Sequence, residues 1–388
     1  MKLNSLWVTP LVTLASVASA FAQIPSKAAA PHAEQILLDS KSFVANDENA
    51  YLAFPTLIKT DDGDVLISYK RGRTHAQDSG APLEMIRFDP IGNQIVSRQF
   101  LGSDPQLIFQ MGEWIRFPSG RIGNFVDMQK MVPDRGKKQH HRIGVYYAVS
   151  DDEGKTFTTM RPLDAVDGVD YGYVFDAVES DGKTYVLAMT FPELTERRSK
   201  FDEQGKRIYG TVAALAYDEK NDAWSHVRDL NQAFGDIRIN ESCLIQSGDR
   251  FLVGTRGYDN QFRLHLVDKK FQPIKSNNLT AQYEEIGSHI GRPRFFRKEG
   301  QLYLLGRNAY RGKMELALFR LNEAALSVEQ RVRLDPEGDA KIVDGYYAMH
   351  YFQPRGDRDA LNVITYRRKD NTRHPDLIRL EFDWNDVR

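Results

Sequence analysis

Cysteine is almost absent: Cys243 is the only one in 388 residues. An intramolecular disulfide, a cysteine-based metal site and a lipid-modified cysteine behind a leader are thereby excluded. Cys243 itself stands in ESCLIQSGDRFLV, a strand pattern that suits a small buried apolar residue better than a nucleophile. Net charge is equally scarce, −1 at neutral pH, so a generic polyanion binder is excluded and no nucleic-acid partner is implied. After the N-terminus no apolar run is long enough to span a bilayer. Long helical periodicity is missing as well, although NEAALSVEQ could form one turn or two. There is no P-loop, no GxGxxG before a helix, no GxSxG and no HExxH. His140 and His141 have no partner at metal spacing, so neither a metal nor a cofactor is expected. Nothing in the sequence sets the oligomeric state.

What is present begins with Lys2, an apolar run from Leu6 to Ala18, and small-residue cleavage options at Ala18-Ser19-Ala20 or Ala20-Phe21-Ala22. This is the pattern of a secretory signal peptide over residues 1–22, and it predicts a secreted or periplasmic protein. A small, polar stretch, residues 23–35, then reads as a linker. Residues 36–388 read as one domain, and 41% hydrophobic residues suffice for a sizeable core.

Within that domain one unit recurs: a β-rich run, a turn with Asp, Gly or Lys, and a second β-rich run. Instances start at Phe54 (FPTLIKTDDGDVLISYKRG), Trp114, Asp176, Asn240, Pro293 and Tyr347. Period-two alternation with a turn signal every ten residues or so predicts an all-β chain, and a repeated pair of hairpins is the blade of a propeller. Six units of about sixty residues each predict a six-bladed β-propeller. Two charged insertions, MVPDRGKKQHHR and FPELTERRSKFDEQGKR, read first as solvated loops and secondarily as substrate-contacting ones.

Propeller ligands sit near the central axis, so the polar residues that begin and end the inner strands are the candidate site. The first unit ends in a cluster containing Lys70, Arg71, Arg73, His75 and Asp78. The fourth opens with Asn240-Glu241 and closes with Arg256. The fifth opens with Arg292 and Arg294 and closes with Arg307, and the sixth opens with Tyr346-Tyr347. Arginines at several blade ends suit an anionic ligand, because the guanidinium fork matches a carboxylate or sulfate. Any single one of them could instead form an inter-blade salt bridge.

Ser150 to Phe157, SDDEGKTF, nearly matches the Asp-box pattern SxDxGxTW, with Phe157 in place of Trp. Together with the six units and the blade-end residues, this resembles the sialidase (neuraminidase) superfamily of six-bladed, Asp-box (BNR-repeat) propellers, as a divergent member. The resemblance implies an exo-glycosidase that removes a terminal acidic sugar from a glycan with retention. Asp78 matches the general acid, Glu241 the base, Tyr346 the nucleophile with Tyr347 as the neighbouring option, and Arg256 with Arg292, Arg294 or Arg307 the carboxylate clamp. A neutral tyrosine avoids the repulsion that a carboxylate nucleophile would meet beside an anionic sugar. The family's first-blade arginine falls at Ala53, and Lys70, Arg71 or Arg73 could compensate. His75 opens another reading, a propeller polysaccharide lyase that acts on a uronate through histidine and tyrosine. A third is a carbohydrate-binding propeller without catalysis.

Overall fold

The computed structural model describes residues 21–27, 32–43, 50–76, 78–134, 136–195, 201–204, 206–288, 290–335, 345–368 and 374–388. Residues 1–20, most of the expected signal peptide, lie outside the described residues, as do Gln77 and Asp344.

The strands form six separate sheets; five contain a four-stranded antiparallel meander in chain order from inner to outer strand, and the sixth has three such strands with an N-terminal strand as its outer one. The innermost strands are Tyr51–Lys59, Leu107–Arg116, Tyr173–Ser180, Ile239–Ser247, Ile290–Lys298 and Met349–Arg355. These open blades one to six of a β-propeller, and each falls on one of the six repeats read from the sequence. Burial explains the pattern that made them legible. The second strand of each blade is packed on both faces by neighbouring blades, so VLISY, YVLAM, FLVGT, LYLLG and LNVIT are nearly continuous apolar runs. The fourth strand meets solvent, and in Gln94–Gly102 every residue is at least partly exposed. Phe251, Leu252 and Val253 are fully buried between blades, and truncating one such side chain to alanine costs about 2–5 kcal/mol.

The ring closes through the N-terminal segment. His32–Leu38 pairs antiparallel with Asp376–Asp383 as the outer strand of blade six, and Ser26–Lys27 pairs parallel with Ser327–Asp335 of blade five. Part of the stretch expected to be a linker is therefore sheet. NEAALSVEQ forms a turn leading into Ser327–Asp335 rather than a helix. Among the described residues no helix is long and apolar enough to cross a membrane. Cys243 is fully buried in the core, where burial pushes its thiol well above the usual range.

The Ser150–Phe157 segment is the turn between the third and fourth strands of blade two. Ser150 Oγ accepts from the Gly154 amide at 2.8 Å, and Asp152 Oδ1 accepts from the Thr156 amide at 2.9 Å. Gly154 has φ +77°, and a Cβ there would stand 2.2 Å from Leu66 Cδ1, so only glycine fits. Phe157 packs against Trp114 in the adjoining apolar cluster. This turn anchors blade two to blade one and takes no part in the axial cavity.

Candidate active site

Irregularity at the start of the inner strands creates the site. Register shifts interrupt inner-strand pairing at Ala53/Thr56, Phe109/Gly112, Val174/Asp176, Ile239/Ser242 and Gly291/Arg294. A bulge breaks the alternation of side chains and re-aims those next to it. Phe54, Gln110, Met111, Asn240 and Glu241 lie in these interruptions and line one cavity of about 460 Å³. Tyr173, Arg256, Arg307 and Tyr347 complete its inner wall, and Asp127, His140 and Arg142 line its blade-two side.

At the centre Tyr347 Oη donates to Glu241 Oε1. The other Glu241 oxygen accepts from Arg256 Nη1 at 2.5 Å and from the Arg292 backbone amide at 3.0 Å. Arg307 lies 4.6 Å over the Tyr347 ring and donates to the Gly345 carbonyl at 3.0 Å. Burial and the Glu241 charge raise the Tyr347 hydroxyl above the ordinary tyrosine range. Tyr347 is thus a neutral phenol whose proton already points at a carboxylate.

Tyr346, the expected nucleophile, is turned away. Its backbone sits at φ +63°, its side chain is fully buried, and the Asp335 carboxylate and the Arg367 guanidinium are its charged neighbours. The positive φ reverses side-chain direction within the Tyr346-Tyr347 pair, and only the second ring reaches the cavity.

Asp78 is also displaced from its expected role. It is buried outside the cavity lining and accepts from the Arg73 amide at 2.6 Å and the Thr74 amide at 3.1 Å, with Lys70 Nζ 3.4 Å away. Gly72 leaves room for it, since a Cβ there would stand 1.9 Å from the Asp78 carboxylate. Asp78 therefore ties down the loop, and His75 on that loop faces the cavity, 4.9 Å from the Phe54 ring and 3.4 Å from the Tyr51 hydroxyl.

Arg292 and Arg294 are buried outside the cavity. Both donate to Glu113 Oε2, while Arg292 also reaches the Tyr173 hydroxyl and Arg294 reaches Asp176 at 2.8 Å. Two carboxylates and two guanidiniums tie blades two, three and five together, the inter-blade alternative for arginines at these positions. Arg71 lies over the Phe100 ring with Glu84 3.6 Å away, and Arg73 is largely exposed; neither lines the cavity. Ala53 is buried and Phe54 takes the first-blade place in the cavity wall, so no guanidinium comes from that blade's inner strand.

Sequence reasoning missed the blade-two side. The insertion MVPDRGKKQHHR lengthens two strands, Ile122–Asp134 and Lys137–Ser150, and carries His140 and Arg142 into the cavity wall. The second insertion contributes Phe191 and Arg207. Asp127 is buried, accepts from Gln129 Nε2 at 2.8 Å and lies 3.2 Å from Arg142, while its Oδ1 has no hydrogen-bond partner. Burial raises its pKa above the ordinary carboxylate value against the opposing pull of Arg142. The signal that could have found His140, Arg142 and Arg207 was the charge of both insertions at blade ends, which a solvated loop explains equally well; Asp127 lies before the first insertion, in the second repeat.

Solved structures place this fold. A protein of unknown function from Dyadobacter fermentans DSM 18053 superimposes with a TM-score of 0.65 at 13% identity, over 92% of this chain and 99% of that one. A mutant NanB sialidase from Streptococcus pneumoniae gives 0.60 at 11% identity, over 92% and 71% of the two chains. Trypanosoma rangeli sialidase in complex with the inhibitor DANA gives 0.57 at 11% identity, covering 91% of this chain and 60% of that one. The chain therefore spans about three fifths of the trypanosomal protein. No protein-family model and no curated protein matches the sequence. At such identities the likeness establishes architecture: this is a six-bladed β-propeller of the sialidase type, with very little sequence in common with its structural neighbours.

Proposed function

We propose that the protein is a retaining glycoside hydrolase that removes an anionic sugar from a glycan, with Tyr347 as nucleophile. The Tyr347–Glu241 hydrogen bond inside an arginine-lined cavity carries this reading. Tyr347 Oη attacks the anomeric carbon as Glu241 takes its proton, and the glycosidic bond breaks with Asp127 giving a proton to the departing oxygen. Water then attacks the glycosyl-tyrosine with Asp127 as base, and Glu241 returns the proton to the tyrosine oxygen. The raised pKa of Asp127 suits the acid role, since the carboxyl must be protonated before reaction. Arg256 and Arg307 flank the Tyr347–Glu241 pair and hold the sugar's anionic group.

A second reading is favoured by one observation: two imidazoles, His75 and His140, line the same cavity as Tyr347. A lyase would use such groups to remove a proton beside a uronate carboxylate that arginine neutralises. Product analysis on a panel of acidic oligosaccharides separates the two. Hydrolysis releases a saturated sugar, with retained anomeric configuration in the first product seen by proton NMR. An ultraviolet-absorbing unsaturated product refutes the hydrolase, and tight binding with no product of either kind points to a binding protein.

A further inference from the structure

The cavity holds more positive charge than one anionic sugar requires. Three guanidiniums, those of Arg142, Arg207 and Arg256, line the cavity together with Tyr258. Arg256 is matched by Glu241 and Arg142 by Asp127. Among the described residues Arg207 makes no ion pair, and its guanidinium stands 5.8 Å from the Tyr209 ring. Arg142 lies 3.9 Å over the Phe191 ring, and its buried Nε has no hydrogen-bond partner. Tyr209 and Tyr258 pack with ring centroids 3.8 Å apart beneath this cluster. Arg142, Arg207 and Tyr258 thus line the cavity where the two insertions reach it. Arg256 and Arg307 instead lie against the Tyr347–Glu241 pair.

We infer that Arg142, Arg207 and Tyr258 form a second anion subsite, so that the substrate is an acidic oligosaccharide carrying a negative group on each of two neighbouring sugars. The inference rests on the glycan-binding reading of this cavity and names its substrate class. The first anionic group lies against Arg256 and Arg307; the second, a carboxylate or a sulfate, lies against the arginines supplied by the two insertions. Both groups offer planar or tripodal oxygens to a guanidinium fork, and the Tyr258 hydroxyl supplies a neutral donor between them. Because Arg207 is exposed, the subsite opens toward solvent and accepts the continuing chain.

Calorimetric titration of the Tyr347→Phe protein tests this without turnover, using galacturonate (one carboxylate), digalacturonate (two carboxylates) and glucuronate linked to 4-sulfated N-acetylgalactosamine (one carboxylate, one sulfate). At least one doubly charged ligand should bind about tenfold or more tightly than galacturonate, the scale of a charge-assisted hydrogen bond. Arg207→Gln on the surface should remove most of that preference. Which doubly charged ligand wins tells carboxylate from sulfate. Equal binding of all three, binding of none, or a preference undiminished in Arg207→Gln overturns the subsite. Because the readout is affinity, a doubly charged preference without any hydrolysis by the wild-type protein would refute the hydrolase and leave the subsite standing.

Discussion

Tyr347 donates a hydrogen bond from its hydroxyl to Glu241, while Tyr346, one residue earlier, is buried beside Asp335 and Arg367 with its backbone at φ +63°. Two adjacent tyrosines thus differ in accessible chemistry through one backbone dihedral. Tyr346→Phe should leave turnover within about threefold and change urea stability by less than about 1 kcal/mol, because the buried Tyr346 hydroxyl has no hydrogen-bond partner among the described residues.

Asp127→Asn should lower kcat/KM by about 10²–10⁴ on substrates with a poor leaving group, and far less on 4-nitrophenyl glycosides, whose phenolate departs without a proton. The carboxyl must be protonated to act, and burial raises its pKa, so wild-type activity should fall as pH rises through that pKa. The asparagine variant should lose that basic limb. Stability has the same sign. The folded state binds the proton more tightly than the unfolded one, so Asp127 destabilises the fold increasingly as pH rises from its unfolded to its folded pKa. A kcat/KM profile against pH for both proteins checks the assignment; a basic limb that survives in Asp127→Asn rules it out.

Glu113→Gln should be among the most damaging single changes. It leaves Arg292 and Arg294 buried with a neutral amide where a shared carboxylate stood, and breaking a buried ion pair in this way costs about 3–5 kcal/mol. Urea denaturation of the folded variant, or its failure to accumulate as soluble protein, reads this out. A loss below about 1 kcal/mol would show that the axial cluster is not structural.

Lys70 is buried against Asp78, and desolvation lowers its pKa to about 8. The sign follows from linkage: between pH 8 and the unfolded value of 10.5 the folded state binds fewer protons, so Lys70 contributes stability that increases with pH there. Lys70→Met should flatten this rise in chemical denaturation from pH 7 to 10. In Asp78→Asn the lysine loses its counter-ion, and stability at neutral pH should fall by about 1–3 kcal/mol while the chemical step survives in the folded fraction.

The fold was legible because blade packing writes itself into composition: second strands buried on both faces became apolar runs separated by Asp/Gly turns. Ring closure was not, since His32–Leu38 pairs with Asp376–Asp383 across the whole chain length and HAEQILL carries no local sign of its partner. At the site, Glu241, Arg256, Arg307, His75 and Tyr347 were visible as polar residues at blade ends, and all line the cavity. Tyr346, Asp78, Arg292 and Arg294 occupy equally suggestive positions and point elsewhere. At Arg292 a bulge, and at Tyr346 a positive φ, decides which way the side chain points, and neither the cross-strand register nor the local dihedral can be resolved by a period-two reading. Arg142 was hidden for another reason: the charged insertion extends a hairpin and lines the cavity instead of forming a solvated loop, whereas Asp127 lies in the strand before it, inside the apolar run that marked the second repeat.

The decisive comparison is the rate of aryl release by wild type, Tyr347→Phe and Tyr346→Phe on a panel of 4-methylumbelliferyl glycosides of acidic sugars. A Tyr347 nucleophile requires wild type and Tyr346→Phe to turn over the same glycoside at similar rates, with Tyr347→Phe slower by on the order of 10³-fold. Near-wild-type release by Tyr347→Phe, or loss confined to Tyr346→Phe, would contradict it.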